Sequence, residues 1–257
     1  MKQGILGSVV KVALLLVVLS AFGCGGDDDA TPTGKVVKGP VVGATVKDKD
    51  GNAFAVTDLY GTFPLTSPGP YSTTGGRYVL LNRDGTPGAS VPAPAMKAPA
   101  GVSQITPLST LAADATPEQL DVILTVLANM GADLDTDLSV KTSTNAVAII
   151  FSETVGAVLA STPGSASAAT KAAVTEALIA AALDLSEYAG TPAESVTAIT
   201  TAVSDAIAGN ATLAALPSLS ASLVSAASTA AEGAGNYPEM PLPVIPTTGS
   251  NGGTGEF

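Results

Sequence analysis

The sequence predicts an α+β protein with separate domains: a small N-terminal antiparallel β-sandwich, then an Ala-rich antiparallel bundle of four or five helices. Residues 35–82 are rich in Val, Thr, Tyr and Phe and are punctuated by Gly and Pro, which is typical of short strands. From residue 105 the apolar residues recur about every 3.6 positions, as in amphipathic helices. The predicted order is signal peptide (1–23), tether (24–34), β-sandwich (35–82), Pro-rich connector (83–104), helical bundle (105–235) and Pro/Gly-rich tail (236–257).

The composition excludes several classes of function. The 257-residue chain has no His, one Cys and a net charge of -11. Without His there can be no Ser-His-Asp or Cys-His relay and no zinc site that uses imidazole. A single Cys forms neither an internal disulfide nor an iron–sulfur cluster. The acidic charge argues against a nucleic-acid partner, because binding to phosphates needs a basic surface.

The first 23 residues have the pattern of a signal peptide. Lys2 and Lys11 precede the apolar run 12–19, and the small-residue stretch SAFG at 20–23 follows it. A helix over residues 12–22 would extend only about 16 Å, roughly half of a bilayer core about 30 Å thick. The segment is therefore too short for a permanent membrane anchor.

The end of this segment resembles a bacterial lipoprotein signal. Gly23 and Cys24 fit the lipobox of that family, whereas Ala21 and Phe22 depart from it. The resemblance implies that Cys24 becomes the new N-terminus and that a diacylglycerol on its thiol holds the protein to a membrane. The alternative is ordinary signal peptidase, which would cut at the same bond and release a soluble protein with a free thiol.

The tether at residues 24–34 bears on the location. By the same resemblance, Gly25 after the cysteine implies delivery to the outer membrane of a Gram-negative bacterium, on its periplasmic face or at the cell surface. The acidic run 27–29 resembles signals that export lipoproteins to the cell surface. The alternative is a solvated spacer whose like charges repel each other and the membrane.

The strand region carries two short motifs, GATV at 43–46 and TDLYGTF at 57–63, with a predicted type I′ hairpin turn at Asp50-Gly51 between them. Together they resemble the carboxypeptidase regulatory-like domain, a transthyretin-like β-sandwich. The resemblance implies an accessory module and carries no catalytic residues.

Two Asp-rich segments, 48–52 and 133–137, are candidates for calcium-binding loops. An EF-hand loop needs Gly at its sixth position and a bidentate Glu at its twelfth. The first segment places Thr57 at position twelve, and the second has Leu138 at six and Thr144 at twelve. We therefore expect a hairpin turn and a helix–helix loop with N-capping aspartates, and no metal site.

The helical half has clear start signals. Thr116-Pro117 and Thr191-Pro192 each combine an N-cap Thr with Pro at the first helical position, and Gln or Glu three residues after the Thr completes a capping box. Apolar stripes predict two further helices near 147–159 and 174–185 and a weaker one near 218–232. The junction ITPLSTL at 105–111 resembles a loosely defined group of bacterial surface lipoproteins, in which it links a regulatory-like sandwich to Ala-rich helices.

These patterns favour a lipid-anchored cell-envelope protein that acts without catalysis, as an interaction or scaffold/adhesion module contacting an envelope protein or polysaccharide. No cofactor is expected. Glu153 and Glu176 are a candidate carboxylate pair for an unusual secreted enzyme, but each fits a helix pattern and is expected to be solvated. The alternative function is small-ligand binding in a cavity of the bundle, lined by the stripes that contain Leu120, Ile150, Phe151 and Leu178.

Overall fold

The computed structural model describes residues 31–186, 188 and 190–246, and in these the α+β class is confirmed. Cys24, the predicted signal peptide, most of the tether and the end of the tail lie outside the described residues. The strands are β1 (Thr33–Val36), β2 (Val42–Lys47), β3 (Ala53–Val56), β4 (Thr62–Pro64), β5 (Tyr71–Leu81), β6 (Pro87–Pro92), β7 (Lys97–Ala98) and β8 (Gln104–Ile105). The helices are α1 (Pro107–Asp114), α2 (Pro117–Asn129), α3 (Ala146–Ser161), α4 (Ala168–Asp184), α5 (Pro192–Gly209), α6 (Ala211–Ala214) and α7 (Pro217–Asn236).

The strands form two sheets. One has the order β4-β1-β8, with β1 antiparallel to β4 and parallel to β8. The other has the order β3-β2-β5-β6 and is antiparallel throughout, with β7 also paired to β5. Side chains of both sheets meet in one buried apolar cluster, which includes Val36, Phe63 and Ile105 from the first sheet and Ala44 and Tyr78 from the second.

The hairpin between β2 and β3 is confirmed, but its turn differs from the prediction. The Gly51 N–H donates to the Asp48 carbonyl, so Lys49 and Asp50 are the central residues of the turn. Gly51 follows them with a φ of +81°, a conformation that glycine adopts without strain. The Asp48 carboxylate accepts the N–H groups of Asp50 and Asn52, and this local hydrogen bonding explains the shift of the turn.

The TDLYGTF segment has an architectural role. The buried Thr57 hydroxyl donates to the Val41 carbonyl at 2.6 Å and accepts the Ala44 N–H at 2.9 Å. Gly61 has a φ of +75°, and a Cβ there would lie 2.5 Å from the Val36 carbonyl oxygen. Both residues therefore hold the segment against neighbouring strands. These packing contacts explain the spacing of Thr57 and Gly61 without a binding role for either residue.

Residues 83–104 were predicted to be a connector, whereas in the structure this stretch contributes three strands. β6 pairs antiparallel with β5, and β8 pairs parallel with β1. Pro87 and Pro92 are compatible with this because they stand at the two ends of β6, which lies at the edge of its sheet.

The predicted helix starts at Thr116 and Thr191 are confirmed. Thr116 and Gln119 form a complete capping box, and Glu194 accepts the Thr191 N–H at 3.0 Å. Two helices were not predicted: the short α6, and α1, which begins after the N-cap Thr106 within the ITPLSTL junction.

The strands and helices after residue 31 belong to one compact unit rather than to separate domains. Val37 and Leu81 of the strand region lie in the same buried cluster as the helix side chains. α7 packs closely on the sheet, because a Cβ at Gly233 would lie 2.7 Å from the Asn82 carbonyl oxygen. The reason for the difference is that the Pro-rich stretch pairs into both sheets and leaves no free linker. Within the described residues, no helix combines the length and apolarity needed to cross a bilayer.

The buried Lys141 closes the C-terminal end of α7. Its ammonium donates to the carbonyls of Ala234 at 2.6 Å, Gly235 at 3.0 Å and Tyr237 at 2.5 Å. Burial lowers the pKa of Lys141, and the Glu239 carboxylate opposes this. A cation is stabilising here because the last carbonyls of a helix carry partial negative charge.

We expect Lys141→Met to lower the free energy of unfolding by about 2 kcal/mol, since it removes charge-assisted hydrogen bonds to buried carbonyls. Urea denaturation followed by circular dichroism measures the change. Lys171→Met is the matched control, because Lys171 is exposed and donates to a single carbonyl, that of Gly164. We expect the control to change stability by less than about 0.5 kcal/mol, and equal losses in both variants would contradict the capping role.

Candidate functional site

A cleft of about 1050 Å³ lies between the sheet and the helices. One wall is formed by β5 and β6, with Leu80 and Val91 among its side chains, and the other by α3 and α7. The helix wall offers small and hydroxyl side chains, among them Ala157, Ser225 and Ala226.

A buried ion pair lies at the base of the cleft. The Lys38 Nζ is 2.8 Å from Glu153 Oε2 and 3.1 Å from the Glu153 carbonyl oxygen. It also lies 4.7 Å from the centre of the Tyr78 ring, within the range of a cation–π contact. Lys38 is 1% exposed and Glu153 is 6% exposed, so water has little access to either charge.

The positions of Lys38, Glu153 and Gly156 in the fold explain how the pair forms. Lys38 lies in the turn between β1 and β2, and Glu153 lies in the middle of α3. Gly156 is one turn further along the same helix, and a Cβ there would be 2.1 Å from Lys38 Cδ and 2.5 Å from Cε. The lysine stem therefore crosses α3 over Gly156, and its ammonium reaches the carboxylate one turn earlier.

The ion pair sets the charge at this site. Burial alone would lower the pKa of Lys38, but the Glu153 carboxylate and Tyr78 outweigh it, so the pKa is raised above 10.5. Burial raises the pKa of Tyr78, although the Lys38 ammonium opposes this shift. Lys38 is therefore charged at neutral pH, and it lacks the lowered pKa that a lysine nucleophile or general base needs.

The two carboxylate oxygens of Glu153 differ in their hydrogen bonding. Oε2 accepts the lysine, whereas Oε1 accepts no hydrogen bond from the part of the chain that the structure describes. The same carboxylate lines the cleft. The arrangement can therefore hold a hydrogen-bond donor that enters the cleft.

Arg83, which lines the cleft, forms an exposed ion pair with Glu232. Arg83 Nη1, in the turn after β5, lies 3.1 Å from Glu232 Oε2 on α7. An exposed pair contributes little stability. The pair is a direct contact between the turn after β5 and α7.

The two residues of the predicted carboxylate pair differ in their burial. Glu176 is exposed on α4, as expected, but the expectation of a solvated Glu153 is wrong. α3 is apolar on nearly all sides and has a single charged residue. The composition of α3 could have indicated a buried Glu153 from the sequence alone. A helix that is apolar on all sides is buried, and its single charge then needs a partner.

The stripes named for a ligand cavity in the bundle are mostly packed into the helix core. Ile150, Phe151 and Leu178 are fully buried in the helix core, and Leu120 is half-buried. These residues line neither the cleft above nor a second one of about 540 Å³ beside Pro94.

The Asp-rich loop at 133–137 connects α2 and α3, as predicted, but its aspartates do not cap a helix. Asp135 accepts the Ser103 N–H at 2.7 Å, and Asp137 pairs with Lys35 at 2.5 Å. Burial alone would raise the pKa of Asp137, but hydrogen bonds from Lys35 and Ser139 lower it. Among the described residues, no three Asp, Glu, His or Cys side chains are grouped to hold a metal.

Comparison with protein-family models, curated proteins and solved structures finds no match for this chain. The resemblances to a lipoprotein signal and to a regulatory-like domain therefore rest on the motifs at 20–24, 43–46 and 57–63.

Proposed function

We propose that this protein is a lipid-anchored component of a Gram-negative cell envelope and that it acts by contact rather than by catalysis. A diacylglycerol on Cys24 would hold it in the outer membrane, on the periplasmic face or at the cell surface. Its body would serve as an interaction or scaffold/adhesion module for another envelope protein or a polysaccharide, with the strand region as a regulatory-like sandwich. The observation that carries the proposal is that the only Cys of the chain directly follows the apolar run and its small residues.

The physical chemistry of lipid anchoring supports this proposal. Two acyl chains give stable membrane binding, whereas one gives only marginal binding. β1 begins at Thr33, nine residues after Cys24, so an extended tether would reach at most about 32 Å. The body would therefore stay close to the membrane surface.

An exposed apolar turn supports a contact function. Val56 and Tyr60 are each 63% exposed, and Leu59 is 41% exposed. This turn lies at the Val36 end of the β1–β4 ladder, whereas the tether joins β1 at the opposite end, at Thr33. Neighbouring apolar side chains of this kind mark interaction surfaces.

We expect the full chain, expressed in a Gram-negative host, to fractionate with membranes and Cys24→Ser to lose most of this association. Intact mass spectrometry of membrane-extracted protein should show loss of residues 1–23 and addition of a diacylglycerol. Ser20→Ala is the matched control, because it changes the same segment outside the lipobox and should leave the modification in place. A wild-type protein with an unmodified thiol in the soluble fraction would contradict the proposal.

The location and the contact role need separate tests. Protease treatment of whole cells distinguishes the two faces of the outer membrane, because only a surface-exposed body is cleaved. A pull-down from membranes with the acylated protein should recover an envelope component, and Tyr60→Ser should weaken its recovery. Failure to recover any partner, with an unaltered envelope in a deletion strain, would count against a contact role.

Small-ligand binding is the second candidate function, and the cleft favours it. Its volume of about 1050 Å³ is slightly above that of ordinary ligand sites, which measure about 300–1,000 Å³. Its lining combines apolar side chains, among them Leu80 and Val91, with hydroxyl side chains of α7 and with charged residues, among them Lys38 and Glu153.

A further inference from the structure

We propose that the cleft binds a neutral amphiphile, with its apolar body between the sheet and helix walls and its hydroxyl head donating a hydrogen bond to Glu153 Oε1. This inference rests on the second candidate function, the use of the cleft as a ligand site.

The walls favour an apolar body. Leu80, Val91 and Pro92 line the sheet side, and Ala157 and Ala226 line the helix side. Burying apolar surface against them is favourable in proportion to the area removed from water. The small helix side chains also leave the width that a ligand needs, which larger residues would fill.

The head group is selected by hydrogen bonding. Glu153 is only 6% exposed, and its Oε1 accepts no hydrogen bond from the described residues. Oε1 is not among the buried side-chain atoms that lack a hydrogen-bond partner, so water reaches it in the cleft, and a ligand that covers it must replace the hydrogen bond from that water with one of its own. A ligand without a donor would cover this oxygen and leave it unsatisfied.

The Lys38–Glu153 ion pair favours a ligand with a neutral head group. The Lys38 ammonium already compensates the Glu153 carboxylate at 2.8 Å. A cationic head at Oε1 would bring a second positive charge close to Lys38, and an anionic head would be repelled by the carboxylate. A hydroxyl donates its hydrogen without adding charge to this buried site.

Four probes with the same eight-carbon chain test the proposal: octan-1-ol, methyl octyl ether, octanoate and octylammonium. Each is titrated by isothermal calorimetry into the full chain in dodecylphosphocholine, a detergent whose head group has no hydrogen-bond donor, and the heat of protein-free micelles is subtracted. We expect octan-1-ol to bind at one site about tenfold more tightly than each of the other three, since only it supplies a neutral donor.

Two matched variants locate the binding. Ala226→Phe fills the cleft and should abolish octan-1-ol binding. Ala180→Phe makes the same change on the exposed face of α4, outside the residues that line the cleft, and should leave binding unchanged. Thermal unfolding of both variants shows whether they are folded.

A double variant tests the head group. Lys38→Met with Glu153→Leu removes both charges and the acceptor together, so no buried charge is left unpaired. We expect it to bind octan-1-ol about tenfold more weakly than the wild type does, and methyl octyl ether with unchanged affinity.

The outcomes distinguish failure of the cleft as a ligand site from failure of the proposed ligand class. If no probe distinguishes the wild type from Ala226→Phe, the cleft is not a ligand site and the second candidate function fails as well. If the probes bind in the cleft but the ether equals the alcohol, or a charged probe binds most tightly, only the ligand class is overturned.

Discussion

Lys38→Met is expected to lower the free energy of unfolding by about 3–5 kcal/mol, because it leaves the Glu153 carboxylate buried without a partner. Lys38 makes the only salt bridge among the described residues in which both side chains are less than 10% exposed. Urea denaturation of the wild type and the variant, followed by circular dichroism, measures the loss.

Two controls separate charge from packing. The double replacement of Lys38 by Met and Glu153 by Leu should recover most of the lost stability, since an apolar pair of similar volume can substitute for a buried ion pair. Lys97→Met removes an exposed lysine paired with Asp114 at 2.7 Å and should cost less than about 1 kcal/mol. A double variant as unstable as Lys38→Met would contradict an unpaired charge as the cause.

The raised pKa of Lys38 also predicts a pH dependence. The folded protein holds this proton more tightly than the unfolded chain, whose lysine has the ordinary pKa of 10.5. The stability that follows from the shift is therefore fully present below pH 10.5 and is lost as the pH rises through the folded pKa. The stability difference between the wild type and the double variant should be flat near neutral pH and fall only in this alkaline range. Because the Tyr78 pKa is raised by burial, its titration acts in the same direction.

Gly156→Ala is expected to lower the free energy of unfolding by about 2–3 kcal/mol, although alanine normally stabilises a helix interior. The added Cβ would lie 2.1 Å from Lys38 Cδ and 2.8 Å from Pro107 Cγ. The lysine cannot move away without leaving Glu153, and the proline ring belongs to the first turn of α1. Urea denaturation measures this effect.

Gly209→Ala is the matched control for this substitution. Gly209 is the last residue of α5, and a Cβ there would meet no atom within 4 Å. We expect the control to be neutral or to gain up to about 1 kcal/mol, as glycine-to-alanine changes in open helix positions do. A similar gain in Gly156→Ala would show that the lysine stem does not need the space over this glycine.

Local elements of the fold were predictable from the sequence. The capping residues at Thr116 and Thr191 act on backbone groups three positions away, so their signals are contiguous in the chain. The β2–β3 hairpin was likewise visible, although the Asp48 side chain moved the turn. The strands of the Pro-rich stretch were not predictable, because β8 pairs with β1, which lies about 70 residues earlier.

The candidate site was only partly visible. The all-round apolar character of α3 indicates a buried helix, and its single Glu153 then requires a partner. The identity of that partner was hidden, because Lys38 lies 115 residues away in a turn that has no charge pattern of its own. Gly156 likewise has no local signal, since its role is to leave room for a side chain from a turn that is distant in the sequence.

By itself, the sequence determined the α+β class, the start points of α2 and α5, the acidic charge and the place of the single Cys at the end of an apolar run. Only the tertiary structure decided that strands and helices form one unit, that Lys38 reaches Glu153, and that a cleft opens between β5–β6 and α3–α7. The physical reason is the separation along the chain over which each interaction acts. Propensity, capping and hydrophobic period act between residues a few positions apart, whereas the burial of a charge depends on which distant residues the completed fold brings into contact.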